Sequence, residues 1–151
     1  MPKVDANIVY MKIALEVATM SYAERKQVGA ILVKDGNILS MGFNGTPKGF
    51  DNVCEEPEMI PFKLDALRSS GQMVTKREVL HAESNAISKC AKSTDSSEDS
   101  DLYVTMSPCF ECSKLIIQAG IKHVFYLEKY RDDSGLELLK KANIPITQIN
   151  L

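Results

Sequence analysis

The chain predicts a three-layer α/β fold: one mixed β-sheet with helices on both faces. Short apolar runs alternate with helical stripes along most of the sequence, the order expected of strands joined by crossover helices. The first two runs are joined by Asp35-Gly36-Asn37, a hairpin-type turn that makes them antiparallel, whereas the later runs are separated by helix-length segments and must be parallel neighbours. Hydrophobic residues make up 44% and charged residues 25% of the 151, the proportions of an ordinary globular core, so residues 1–151 are expected to form a single domain.

Each element has its own signal. Residues 5–19 carry Ile8, Met11, Leu15 and Ala18 on one helical stripe, with Asp5 able to cap it. Residues 28–33 read as a buried strand and 38–43 as its return. An insert at 46–80 holds Pro47, Pro57, Pro61 and several glycines; it is expected to be irregular, with a short helix near 61–68. Such a long excursion in a compact domain is more often functional than idle. Residues 81–92 predict a helix with Ala82, Ala86, Ile87 and Cys90 on its apolar side. Residues 93–101 are acidic and low in complexity, which predicts a mobile surface loop. A strand at 102–105, a helix at 109–119 stopped by Gly120, a strand at 124–127, a helix at 135–142 and a short strand at 146–149 complete the pattern.

Charge and composition exclude several functions. The formal net charge is -2, without the basic excess of a large duplex- or tRNA-binding surface, so no polymeric nucleic-acid substrate is expected. A small anionic substrate needs only a few local cations. No run approaches the roughly 20 apolar residues of a membrane span. The stretch from Met1 to Asn7 is polar and lacks the core of a secretory signal. Four cysteines, two in metal-type spacing, suit a reducing, cytoplasmic setting better than a disulfide framework. Cys54 and Cys90 read as buried or incidental thiols, and His123 is the only histidine besides His81.

The chemistry concentrates in His81-Ala82-Glu83 and Pro108-Cys109-Phe110-Glu111-Cys112. Together they offer one imidazole and two thiols. A structural zinc site normally closes its shell with four protein ligands, whereas a catalytic one keeps three and an open position. Cys109 and Cys112 are three apart on a helix and leave by the same face; the helix N-terminus favours their thiolates. Glu83 is placed to stand beside the open position without ligating. Its expected work is proton transfer between an activated water and the substrate. A lone C-x-x-C fits a zinc ribbon or a redox pair, and a lone H-x-E is weak. A ribbon needs two more ligands at matching spacing, and a redox pair leaves His81-Ala82-Glu83 unexplained. The joint H-x-E…P-C-x-x-C order is the signature of zinc-dependent nucleobase deaminases.

On these residues the chain resembles the cytidine and deoxycytidylate deaminases. Arg25-Lys26-Gln27-Val28-Gly29-Ala30, Gly42-Phe43-Asn44-Gly45, Asn85-Ala86-Ile87 after Glu83, Ser107 and Lys114 around the cysteines, Gly120-Ile121, and Tyr126 with Tyr130 make it similar to the deoxycytidylate (dCMP) branch in its short, phage- or virus-like form. The resemblance implies a cytidine-deaminase-like version of the three-layer fold and hydrolysis of dCMP to dUMP and ammonia, feeding dTMP synthesis. It implies Zn2+ on His81, Cys109 and Cys112, with Glu83 catalytic. It implies that Asn44 meets the sugar, that main-chain groups of Ala82 and Ser107 grip the base edge, and that Tyr130 lines the pocket. Arg25 and Lys26 become candidates for the 5′-phosphate and Glu78 for a further nucleotide contact. A turn asparagine between glycines and a solvated basic turn explain Asn44, Arg25 and Lys26 equally well.

Members of that branch are hexamers activated by dCTP and inhibited by dTTP with Mg2+. The resemblance therefore implies a homo-oligomer with a second nucleotide site built from Gly42, Phe43, Asn44, Gly45, Asn85 and Lys92. The acidic residues after Lys92 are poor neighbours for phosphates. Met20, Met41, Met59 and Met106, hard to assign to one core, point to a helical-face interface. Two other readings stay open: deamination of dCTP, cytidine or tRNA adenosine, the last opposed by the acidic balance, and a nucleotide-sensing or structural zinc protein with a closed shell of four ligands.

Overall fold

The structure, a computed structural model, describes residues 3–151. Met1 and Pro2, part of the polar N-terminal stretch, lie outside the described residues. The elements run α1 (Ala6–Ala18), β1 (Gly29–Lys34), β2 (Asn37–Phe43), β3 (Glu55–Lys63), β4 (Ala66–Thr75), α2 (Ala82–Ala91), β5 (Asp101–Met106), α3 (Phe110–Gln118), β6 (His123–Glu128), α4 (Ser134–Lys141) and β7 (Ile146–Gln148). Five strands form one sheet in the order β2-β1-β5-β6-β7. β1 is antiparallel to both β2 and β5, and the β5–β6 and β6–β7 pairs are parallel. The sheet is mixed, as the turn and crossover signals predict.

The period of two in β1 creates the layers. Ala30 and Leu32 join a core with Ala86 of α2, Ile116 of α3 and Leu139 of α4. Ile31 and Val33 face the opposite way, onto Met11, Ala14 and Val17 of α1, with Tyr103 and Phe125 from the neighbouring strands. Asp5 caps α1 by accepting from the Asn7 N–H at 2.9 Å. The buried face of α1 is Met11, Ala14, Val17 and Ala18, while Leu15 is only half-buried. The expected stripe is thus rotated, because small Ala14 lets the helix approach the sheet more closely than Leu15 would.

One expectation fails. The insert is not irregular throughout: β3 and β4 pair from Glu55↔Thr75 to Lys63↔Ala66, and the region expected to be a helix is a hairpin end. The prolines that point to irregular structure are tolerated because each strand has an open edge, and the register shifts between Pro57/Met59 and between Pro61/Lys63, where a ladder can accommodate a residue without an N–H. The acidic segment is a surface loop, exposed over most of its length, with a few hydrogen bonds to its neighbours. Ser97 Oγ donates to Ala119 O at 2.7 Å, the Asp99 N–H donates to Gly120 O at 2.9 Å, and Ser100 is fully buried. Serines here donate to nearby carbonyls, as is common in turns. Among the described residues no helix is long and apolar enough to cross a membrane.

Candidate metal centre and active site

Both metal-bearing segments sit at helix starts. His81 is the N-cap of α2, in extended backbone (φ -79°, ψ 157°). Cys109 is the N-cap of α3, its sulfur accepting from the Cys112 N–H at 3.5 Å. α3 follows the carboxyl end of β5, the edge of an α/β sheet where ligands gather. The first residue of α4 after its cap is followed by Gly135, where a Cβ would lie 2.1 Å from Pro108 O and 2.8 Å from Cys109 O. A larger residue there would push on the loop that presents Cys109.

The three donors converge. His81 Nδ1 lies 3.5 Å from Cys109 Sγ and 3.4 Å from Cys112 Sγ, and all three atoms fall within 4.8 Å of one another. A tetrahedral zinc with bonds of about 2.0 Å to nitrogen and about 2.3 Å to sulfur sets its N and S ligands roughly 3.5 Å apart. The donor set and its spacing therefore fit zinc, with three protein ligands.

The electrostatics are those of a metal site ready to shed protons. The hydrogen bond from Cys112 draws the Cys109 thiol down to about 4, against its burial and with help from His81. Cys112 moves up because it donates that proton, is buried and stands beside Glu83. The hydrogen bond with Cys109 raises His81. Without metal the pair shares one thiolate, and metal binding releases the remaining thiol proton. Glu83 is 4% exposed; burial pushes its carboxyl up to about 7.

A cavity of about 430 Å³ opens beside His81, Glu83 and Cys109, within the range of small-molecule sites. Arg25, Lys26, Asn44, Ala82, Ser107 and Tyr130 line it; Glu78 is exposed and is not part of the wall. Asn44 spends its amide on the backbone: Oδ1 accepts from the Val28 N–H at 2.9 Å and Nδ2 donates to Lys26 O at 2.8 Å. Ser107 Oγ accepts from the Tyr130 N–H at 2.7 Å, and the Ser107 N–H donates to Glu128 O. Ala82 is the first helical residue of α2, where an N–H has no partner within the helix. Lys26 pairs with Glu128. Sequence reasoning missed Glu55, Thr75 and Arg131, which also line the cavity. Arg131 was visible beside Tyr130; Glu55 and Thr75 carry no local motif, because only strand pairing brings them there.

The residues assigned to a second nucleotide site are partly together. Asn85 Nδ2 donates to Phe43 O at 2.7 Å, and Gly45 exchanges two backbone hydrogen bonds with Leu80. Gly42 is required by packing, since a Cβ there would lie 2.4 Å from Ala82 O and from Ala86 N. Lys92 is the C-cap of α2, seven residues beyond Asn85 and so about 10 Å along the axis; the basic side chain over the Phe43 ring is Lys89, at 5.4 Å. Cys54 and Cys90 are buried free thiols. Met20, Met41 and Met59 are exposed, while Met106 lines the cavity.

The chain is similar to known proteins over its length. The family model for the cytidine and deoxycytidylate deaminase zinc-binding region matches residues 5–128. The dCMP deaminase of cyanophage S-TIM5, solved in complex with dCMP and dUMP, superposes with a TM-score of 0.83 at 40% identity, covering 99% of this chain and 100% of that one. The deoxycytidylate deaminase of Enterobacteria phage T4 is 32% identical, over 89% of this chain and 87% of its own length. The human deoxycytidylate deaminase is 38% identical, over 82% of this chain and 65% of its own length.

Proposed function

Since the chain belongs to the cytidine and deoxycytidylate deaminase family, we propose that its reaction is the hydrolysis of dCMP to dUMP and ammonia. The observation that carries this reading is the His81–Cys109–Cys112 donor set at zinc spacing with a buried carboxyl beside it. A nucleotide-sized cavity adjoins it, and the cyanophage relative with dCMP and dUMP matches the chain from end to end. Water adds at C4 of the base, the C4–N4 bond breaks, and the amino group leaves as ammonia.

His81, Cys109 and Cys112 would hold a zinc ion, which would supply the Lewis acidity that makes water nucleophilic near neutral pH. Glu83 manages the protons. Its carboxyl, buried and raised to about 7, holds or releases a proton at working pH. It takes one from the attacking water, returns it to N3, and serves the departing amine. Ala82, at the N-terminus of α2, offers a backbone N–H to the base edge. Arg25 and Lys26 offer positive charge to the 5′-phosphate, and exposed Arg131 stands at the same wall. Asn44 serves this site by tying Lys26 and Val28 into place.

Effector control by dCTP and by dTTP with Mg2+, assembly as a homo-oligomer of hexameric type, and a cytoplasmic location belong to the same proposal. The Asn85–Phe43 hydrogen bond gives the Gly42–Gly45 turn a rigid seat. Exposed Met20, Met41 and Met59 supply apolar surface for self-association.

Loss of cytosine absorbance on incubating zinc-loaded protein with dCMP, alone and with dCTP or dTTP, tests the reading. Turnover of dCMP is expected; its absence with and without dCTP overturns it. A parallel assay with dCTP as substrate separates the nearest rival, which predicts the higher kcat/KM for the triphosphate.

A further inference from the structure

Glu55 is the first residue of β3 and Thr75 the last of β4, and they face each other across the ladder. Both line the cavity. Glu55 is charged yet buried. Its Oε1 accepts from the Glu24 N–H at 2.9 Å and the Arg25 N–H at 3.2 Å. Thr75 Oγ1 accepts from the Arg25 guanidinium at 3.3 Å. The far side of the same loop is held by Asn44, through Lys26 O and the Val28 N–H. A carboxylate that receives two successive backbone N–H groups is a strong, directional clamp, and its burial is tolerated because those bonds are made. Arg25 and Lys26, both exposed and both at the cavity wall, thus sit on a loop fixed from two sides.

We propose that Glu55 is a positioning residue: by clamping the backbone at Glu24 and Arg25 it holds the basic pair where a 5′-phosphate binds, and so sets the preference for a nucleoside monophosphate over the free nucleoside. The inference rests on the dCMP reading above. It also gives the hairpin a role, since the base of β3–β4 is the clamp. Its hydrogen bonds run to the basic loop and not to Glu83 or the zinc ligands, so it governs substrate binding rather than the chemical step. The sign of the effect is diagnostic. A carboxylate acting only through its field repels phosphate, and removing it would tighten dCMP binding; a clamp does the reverse.

The experiment compares dCMP with deoxycytidine, which lacks the phosphate, for wild-type protein, Glu55→Ala, Glu55→Gln and Glu55→Asp. Wild-type turnover of dCMP is the control: if it is absent, the dCMP reading itself fails. Given that turnover, Glu55→Ala is expected to raise KM for dCMP about tenfold with kcat within about twofold, the pattern of lost ground-state binding through misplaced contacts. The kcat/KM for deoxycytidine should not change. Glu55→Gln, which keeps an acceptor oxygen, should retain most of the dCMP affinity. An equal loss on both substrates, or an unchanged or lowered KM for dCMP, overturns the proposal. Should Glu55→Ala fail to fold, judged by zinc content and thermal melting, Glu55→Asp decides: its shorter side chain keeps the charge but withdraws the acceptor from the Glu24 and Arg25 N–H groups, so it must raise KM for dCMP while sparing deoxycytidine, and an unaltered KM overturns the proposal.

Discussion

Glu83 shows how burial changes what a carboxyl can do. Its side chain is almost completely enclosed, and burial pushes its carboxyl up to about 7, so it can both accept and donate a proton where an exposed glutamate only accepts. Glu83→Gln keeps the size and removes the proton transfer. We expect zinc content to stay stoichiometric while dCMP turnover falls about 10²- to 10⁴-fold; metal analysis beside a rate assay checks this, and a near-normal rate would rule out the shuttle. Cys109→Ser addresses the ligand set instead. It weakens the softest contacts of the site, so zinc is expected to be lost on dialysis, and turnover with it.

At the scale of elements, helix starts present the metal donors and their neighbours brace them. α4 braces α3 through Gly135 against Pro108 and Cys109. Gly135→Ala forces one backbone from another, at a cost of about 1–3 kcal/mol typical of overpacking. The expected outcome is a lower Tm together with weaker zinc retention, seen by melting and metal analysis; a lowered Tm with unaltered zinc affinity would separate α4 from the metal loop. β6 carries a different device. His123 stacks on Phe125 at 4.0 Å and its Nε2 lies 2.8 Å from Thr147 Oγ1 of β7. Burial holds its pKa below the ordinary histidine value, with Asp101 pulling up and Lys122 pushing down. The unfolded chain therefore takes up its proton first as pH falls. The stability this group contributes is present above the unfolded pKa near 6.5 and is lost as pH drops from there through the folded pKa. His123→Phe keeps the stack without the titration, so its melting temperature should fall less between pH 7.5 and 5.5 than that of the wild type.

Across the whole molecule, the main sheet and the β3–β4 hairpin differ in how they are held. The central strands β1, β5 and β6 are buried on both faces. Among the described residues the hairpin pairs only with itself, and it leaves Met59, Phe62, Leu64, Leu67 and Met73 exposed. A lone two-stranded ribbon is marginal in water. Hydrogen exchange is expected to be fastest along residues 58–70 and slowest in β1, β5 and β6. Protection of the hairpin equal to that of the central sheet would mean that another subunit covers it.

The sequence by itself determined the three-layer fold class, the strand and helix order of the main sheet, and the metal donors with Glu83. All of these are local: a period of two or 3.6, a cap, a turn, or ligands two and three residues apart at a helix start. The prolines of the insert read as breakers because their tolerance depends on which edge of a strand stays unpaired, a property that no local window contains. The anchor of the acidic segment is invisible in its own composition, because Ser97 donates to the carbonyl of Ala119, the C-cap of α3, far along the chain. Only the tertiary structure decided that Glu55 and Thr75 reach the cavity, that Asn44 ties down the basic loop, that Lys89 rather than Lys92 lies over Phe43, and that α1 turns Ala14 inward. Each of these follows from long-range pairing or close approach, in which the partner is set by topology and not by spacing.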